Sequence, residues 1–217
     1  MRNHFDRQLD KLHIELTTMG GLCEQAIAVV AKAMLDRDVS LLPQAYVIEH
    51  KIDRSERETE GMCMNLLLCQ QPVAGDLRTV STAMRVIADM ERIGDQAADI
   101  AEILTYSGGG GMDCASHIGD MARSVIKMVT DSVEAFVRGD LEMARATIAY
   151  DDVVDGLFDQ VKAELTNAIA RDPSQGGRCL DFLMIAKYME RIGDHAVNVA
   201  EWVCYALTGL HPKNVAD

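Results

Sequence analysis

One six-residue segment occurs twice in this chain. Met90-Glu91-Arg92-Ile93-Gly94-Asp95 returns unchanged as Met189-Glu190-Arg191-Ile192-Gly193-Asp194, 99 positions later. Identity over six positions at a fixed separation is the signature of an internal repeat, so we expect two copies of one structural unit. In each copy the Glu and the Asp are four residues apart, which places both carboxylates on one face of a helix.

The glycine of the repeated segment adds a second constraint. A glycine inside a helix is destabilising by roughly 1 kcal/mol relative to alanine. Its presence at the same place in both copies, as Gly94 and Gly193, indicates that something approaches the backbone there. The two alternatives are a bound cation and a neighbouring helix.

Apolar residues recur at intervals of three and four along most of the chain, which is typical of amphipathic helices. The pattern predicts six helices, with Ser40 and Asp76 as N-caps of the second and third and a glycine linker at 108–111. Six long helices with short connections predict an all-α fold of two tandem, pseudo-symmetric antiparallel three-helix bundles, residues 1–107 and 112–217. The helices are expected at about 5–36, 40–70, 77–106, 114–137, 140–170 and 176–207.

The charge balance is strongly acidic, with a formal net charge of −13 at pH 7. This argues against a nucleic-acid partner, which needs a basic surface, and against adhesion to anionic lipid. The N-terminal residues are too charged for a signal peptide, and no uninterrupted apolar run reaches the roughly 20 residues of a membrane span. We therefore expect a cytoplasmic protein without membrane insertion.

A second set of acids is predicted to meet the repeated segment. In an antiparallel hairpin, residues equidistant from the turn lie level, so Glu49 and Asp53 on helix two should face Glu91 and Asp95 across Pro72. In the second copy of the repeat, the positions equivalent to Glu49 and Asp53 are Asp151 and Asp155. These should face Glu190 and Asp194 in the same way. Four carboxylates are thus expected to converge twice.

Converging carboxylates repel each other unless they are protonated, matched by basic groups or bridged by a cation. Arg92 and Arg191 follow the Glu directly, about 100° around the helix, and are therefore expected to be poorly aimed at these faces. We favour a metal site in each bundle, and an ordinary ion network is the alternative. All-oxygen ligation suits Mg²⁺, Mn²⁺, Ca²⁺ or iron, as divalent or trivalent ions, better than zinc.

Further ligands are less clearly indicated by the sequence. Asp99 extends the first acidic face by another four residues and is included in the predicted site, whereas its counterpart is Asn198. Glu24 is predicted to lie near the same level on helix one. His195, directly after Asp194, is equally consistent with a ligand and with a residue at the rim of the site.

These residues carry a resemblance to the PhoU family, regulators of bacterial phosphate transport. It rests on both Glu-Arg-Ile-Gly-Asp motifs, each followed by Ala-Glu, on the turn from Gln71 to Arg78, and on His4-Phe5-Asp6, Met19-Gly20 and Ile52-Asp53. The resemblance implies two symmetric three-helix bundles and metal clusters on the E/D-x-x-x-D motifs. By position these are the eight paired carboxylates named above.

The resemblance also implies a function. It implies a cytoplasmic negative regulator that couples the ATPase subunit of the phosphate transporter to the phosphate-sensing histidine kinase, and a homodimer is expected. Asp76 and Arg78, in the turn after helix two, are candidates for partner binding because recognition residues often lie on loops.

The competing hypothesis is a carboxylate-bridged dimetal enzyme. Such bundles carry Glu-x-x-His motifs on two helices, and the acidic motifs here lack this spacing. The sequence also lacks a phosphate-binding glycine loop, because Gly108 to Gly111 is not followed by Lys-Ser/Thr. A regulatory protein without catalytic activity is therefore predicted.

Overall fold

The computed structural model describes residues 2–70, 74–107 and 115–210. These segments form six long α-helices and two short 3₁₀ turns, and contain no strand. The predicted all-α fold is confirmed. The helices are α1 (Arg2–Asp36), α2 (Leu42–Gln70), α3 (Ala74–Tyr106), α4 (Ala115–Arg138), α5 (Leu141–Arg171) and α6 (Gly176–Thr208).

The helices pack as two three-helix bundles, α1–α3 and α4–α6, which also pack on each other. Helix α3 lies against α6 and α1 lies against α4, so the apolar faces of both bundles join in one hydrophobic core. The glycine linker expected between the bundles, and with it the boundary between the predicted domains, lies outside the described residues.

Helix α1 is long and apolar enough, by length and composition, to span a membrane. It is the one such helix in the described part of the chain, and 44% of its most apolar window is buried inside the protein. Leu12, Leu16, Met19 and Ile27 are fully buried against the other helices. An amphipathic helix with its apolar stripe inside the fold is typical of a core helix.

The first and fourth helices end in the same way, which extends the repeat beyond the acidic motif. Arg37 and Gly139, 102 positions apart, both adopt left-handed backbone conformations, with φ of 56° and 65°. The next residue in each case, Asp38 or Asp140, donates its backbone N–H to the carbonyl of Ala33 or Ala135 at 2.9 Å. This hydrogen bond is typical of the Schellman motif, in which one residue in the left-handed conformation ends a right-handed α-helix.

Two of the predicted helix starts are wrong. Asp38, and not Ser40, is the cap before the second helix, and its carboxylate accepts hydrogen bonds from the N–H and hydroxyl of Ser40 at 3.0 and 2.6 Å. Helix α3 begins at Ala74, so Asp76 lies in the first turn instead of capping it. An acid in the first turn is favoured there by the helix dipole, which gives the same sequence signal as a cap.

Candidate metal-binding acidic clusters

The predicted carboxylates of the first bundle come together. Asp53 on α2 and Glu91 and Asp95 on α3 each offer an oxygen within 4.8 Å of the others, and all three residues are half-buried. Glu49 extends the group along α2, where its carboxylate lies 3.0 Å from Nδ1 of the exposed His50. We call Glu49, Asp53, Glu91 and Asp95 the first cluster.

The first cluster is electrostatically unbalanced. The pKa of Glu49 is raised above its ordinary value, first by burial and then by Asp53, and His50 and Asp95 act more weakly in opposite directions. Burial also raises the pKa of Glu91, with Asp95 as the next cause. Oxygen atoms that repel each other at this spacing suit a hard cation such as Mg²⁺, Mn²⁺ or Ca²⁺, which would bind the carboxylates together. The donor set therefore fits the metal that the sequence predicts.

Arg92 contradicts the prediction that it would point away from this face. Its Nη1 donates to Oδ2 of Asp95 at 2.9 Å, and its Nε lies 3.4 Å from Oε2 of Glu91. The helical angle of about 100° describes the Cα–Cβ directions only, whereas the long arginine side chain bends back over the adjacent turn. Arg92 therefore neutralises part of the first cluster.

The carboxylates of the second bundle, Asp151, Asp155, Glu190 and Asp194, form a looser second cluster. Residues 115–210 contain no group of three with the close spacing of the first cluster. Asp155 and Asp194 are exposed, and Glu190 is paired with Lys187. Asp151 is the most perturbed member. Burial, followed by the charges of Asp155, Asp194 and Glu190, raises its pKa to about 6.

The repeated glycine is explained by a neighbouring helix. A Cβ atom at Gly94 would lie 2.9 Å from Cδ1 of Ile52, a buried side chain of α2. At Gly193 it would lie 3.3 Å from the Oδ1 atom of Asp151 on α5. In both bundles the glycine lets the neighbouring helix approach closely, and in the second it also makes room for a carboxylate of the cluster.

The additional ligand candidates make contacts between the two bundles. Asp99 faces Tyr188 on α6, and its pKa is raised first by burial and then by Asp95. Glu24 accepts a hydrogen bond from the Thr130 hydroxyl at 2.7 Å, which places it at the α1–α4 contact. His195 lies against Asp89 of α3, with Nδ1 at 2.9 Å from Oδ1.

The sequence is similar to that of known proteins. The sequence profile of the PhoU domain matches residues 16–104 and again residues 118–203. The chain belongs to the PhoU family. A phosphate-specific transport system accessory protein PhoU homolog from Clostridium acetobutylicum is 35% identical over 96% of each chain. A homolog with the same description from Pseudomonas aeruginosa is 32% identical over 97% of this chain and 88% of its own.

Solved PhoU structures have the same fold. The crystal structure of PhoU from Pseudomonas aeruginosa superposes with a TM-score of 0.89 at 32% identity, over 95% of this chain and all of the other. The phosphate transport system regulatory protein PhoU from Streptococcus pneumoniae gives 0.84 at 23% identity, over 95% and 98%, and this likeness concerns the fold. The PhoU relatives are named as accessory and regulatory proteins and not as enzymes, in agreement with the sequence prediction.

In this member of the PhoU family, the two candidates for partner binding occupy the start of α3 and not a loop. Asp76 lies in the first turn of the helix. Arg78 is half-buried, and its guanidinium Nη1 lies 2.5 Å from the position that a Cβ would take at Gly209, the left-handed cap of α6. Arg78 therefore packs against the other bundle, whereas a role of either residue in partner binding stays a prediction.

Sequence reasoning did not identify a cleft beside the first cluster of this PhoU-family chain. The cleft has a volume of about 490 Å³ and lies between α2, α3 and α6. Its walls include members of both bundles, among them Glu56, Glu91, Arg92 and Trp202. Glu56 and Trp202 are far apart in the sequence and belong to no motif, so only the packing of α6 on α3 brings them together.

Proposed function

We propose that this chain is an accessory regulator of phosphate uptake and of phosphate-starvation signalling. In this proposal it is a cytoplasmic, metal-binding adaptor between the ATPase subunit of the phosphate transporter and the phosphate-sensing histidine kinase, and it keeps the starvation response off when phosphate is plentiful. A homodimer is the expected state.

The observation that carries the proposal is similarity along nearly the whole chain. The relative from Clostridium acetobutylicum, 35% identical over 96% of both chains, is described as an accessory protein of a phosphate-specific transport system. The two domain matches, residues 16–104 and 118–203, together span most of both bundles. The role in transport regulation rests on this description, and the two named partners rest on the family resemblance.

The metal-binding part of the proposal has separate support in the first cluster. Asp53, Glu91 and Asp95 offer three oxygen ligands at close spacing, and all are half-buried. We expect Glu49 to complete the site, because its carboxylate and that of Asp53 each offer an oxygen within 4.8 Å of the other. Bound metal would supply positive charge that holds α2 against α3. The role of the metal would then be structural or regulatory rather than catalytic.

The regulatory role is tested by deleting the gene in its host and measuring a transcriptional reporter of phosphate starvation in phosphate-rich medium. We expect the reporter to be switched on in the deletion strain and repressed again when the gene is restored. Normal repression in the deletion strain would show that the regulatory proposal is wrong.

The adaptor role is tested by a pull-down of the purified transporter ATPase subunit and of the cytoplasmic part of the kinase. We expect both to be retained by the wild-type chain. Asp76→Lys should weaken retention of at least one partner, whereas Asp159→Lys, an equal charge change at an exposed site on α5, should not. Failure to retain either protein would contradict the adaptor role.

A further inference from the structure

In each acidic cluster a carboxylate is paired with a basic side chain from the helix that carries the repeated motif, α3 or α6. We propose that Arg92 is a built-in counter-ion of the first cluster that an incoming metal ion must displace, and that Lys187 has the same role in the second cluster. This inference rests on the proposed metal binding and assigns a regulatory function to two residues outside the acidic motif positions.

Arg92 contacts two of the carboxylates that a metal ion would use. It contacts Oδ2 of Asp95 at 2.9 Å and Oε2 of Glu91 at 3.4 Å, and both carboxylates belong to the close group with Asp53. A guanidinium donates hydrogen bonds but accepts none, so it satisfies the carboxylate lone pairs while excluding a cation from them. Metal and Arg92 therefore compete for the same carboxylates.

Arg92 is also free to leave. Its side chain is 60% exposed, so little packing holds it on the cluster. It already lines the cleft of about 490 Å³, where Glu56 of α2 offers another carboxylate. The displaced guanidinium can therefore pair with Glu56 in the cleft. Its movement would change the surroundings of Trp202, which lines the same cleft.

The second bundle uses a different residue. The repeat equivalent of Arg92 is Arg191, but Arg191 lies over the ring of Tyr188, 5.9 Å from its centre. Glu190 is instead paired with Lys187, whose repeat equivalent is the uncharged Ala88. An ammonium group is a point charge and lacks the planar fork of arginine. The two clusters therefore carry non-equivalent counter-ions, which gives the two sites different cation affinities.

The first test measures Mn²⁺ binding to the full chain by equilibrium dialysis after chelator treatment. Arg92→Gln removes the competitor and should tighten binding to the first cluster about two- to fivefold, the range expected for loss of a partly exposed ion pair. Arg54→Gln is the control, because it removes the same charge one residue from Asp53 but breaks only a pair with Glu58. It should change the affinity by less than twofold.

The second test uses fluorescence, because Trp202 is the only tryptophan in the chain. Titration of the wild type with Mg²⁺, which is not a paramagnetic quencher, should shift the Trp202 emission as Arg92 moves. The shift should be absent in Arg92→Gln even when Mg²⁺ is bound.

Arg92→Lys keeps the positive charge but lacks the planar guanidinium group. It should bind Mn²⁺ with an affinity between those of the wild type and Arg92→Gln.

The second cluster gives an independent comparison. Lys187→Gln should tighten its cation binding, and Arg191→Gln should not, although both remove one positive charge from α6. Equal affinities of wild type, Arg92→Gln and Lys187→Gln would overturn the counter-ion inference while leaving metal binding intact. If no variant binds a cation, both the counter-ion inference and the proposed metal site are wrong.

Discussion

Nδ1 of His195 lies 2.9 Å from Oδ1 of Asp89, so the residue that follows the second acidic motif contacts α3 of the first bundle. Asn198 donates to the same oxygen at 3.3 Å. The repeat equivalents of Asp89 and Asn198 are Tyr188 and Asp99, which also face each other across the α3–α6 contact. The α3–α6 contact is therefore held by two polar links that are related by the pseudo-twofold symmetry of the repeat.

Removal of the first link should loosen the contact between the bundles. Asp89→Ala removes the acceptor that His195 and Asn198 share in a mostly buried place, which should destabilise the protein by about 1–3 kcal/mol. For a chain of this size, this corresponds to a melting temperature lower by about 3–9 °C in calorimetry. Asp120→Ala, which breaks a pair with Arg123 inside one exposed helix face, should cost less than about 1 kcal/mol. Equal losses would show that the link contributes nothing specific.

Gly94 should be required for the packing of α2 on α3. A Cβ atom there would lie 2.9 Å from Ile52, and overpacking of this kind is destabilising by about 1–3 kcal/mol, which exceeds the helix-propensity gain of about 1 kcal/mol. We expect Gly94→Ala to lower the melting temperature and Gly94→Leu to lower it further. Combination of Gly94→Ala with Ile52→Val should recover part of the loss, because the smaller side chain gives way.

Gly156 is the matched control for this prediction. It lies inside α5, and a Cβ atom added there would have no neighbour within 4 Å. Gly156→Ala should therefore raise the melting temperature by the propensity gain alone. A parallel gain in Gly94→Ala would contradict the close approach of the two helices.

Arg37 should be replaceable by glycine with a gain in stability. Its left-handed backbone, φ 56°, is strained for a residue with a Cβ, whereas the equivalent position in the second bundle already carries Gly139. We expect Arg37→Gly to stabilise the protein by about 1 kcal/mol and Gly139→Ala to destabilise it by a similar amount. Chemical denaturation at fixed pH measures both. Changes of the same sign in the two variants would contradict the strain argument.

The repulsion at Asp151 should be visible as a pH dependence of stability. Its pKa in the folded protein is raised to about 6 from an ordinary value of 3.8, so the folded state binds the proton more tightly than the unfolded chain does. Stability therefore falls as pH rises from about 4 to about 6, and the ionised carboxylate destabilises the metal-free protein at neutral pH.

Asp151→Asn should remove this penalty. At pH 7.5 with a chelator we expect a gain of about 1 kcal/mol after solvent screening, or about 2–4 °C in melting temperature, that fades towards pH 4. Asp159→Asn, an exposed change on the same helix, should show no such trend. A pH-independent difference between wild type and Asp151→Asn would contradict the raised pKa.

The periodicity of the sequence was sufficient for six helices and for the meeting of Asp53 with Glu91 and Asp95, because these features depend on local spacing and on the symmetry of a hairpin. It did not predict the direction of Arg92, because a long side chain samples several rotamers that Cα geometry does not distinguish. The helix starts at Leu42 and Ala74 were also missed, since Ser and Asp are favoured both at caps and in nearby positions.

The contacts between the two bundles could not be predicted from the sequence for a different reason. Asp89 contacts His195 and lines a cleft with Trp202 only because α3 packs on α6. The pattern of a single helix does not show which face of one bundle packs on the other. The same holds for Asp99, which was predicted from spacing as a metal ligand and faces Tyr188 of the other bundle. A ligand role of Asp99 stays a prediction.

Metal should stabilise the two bundles to different extents. Ligand that binds only the folded state raises the melting temperature in proportion to the logarithm of its concentration above Kd. We expect Mn²⁺ to raise the melting temperature of the wild type. Asp95→Asn removes one carboxylate from the close group with Asp53 and Glu91, and should abolish most of this increase.

Asp194→Asn should have a smaller effect, because the second cluster is more open and Asp194 is exposed. The two changes should be nearly additive, since the clusters lie in separate bundles. A melting temperature that is independent of Mn²⁺, Mg²⁺ and Ca²⁺ in all three proteins would show that the acidic clusters are ordinary ion networks.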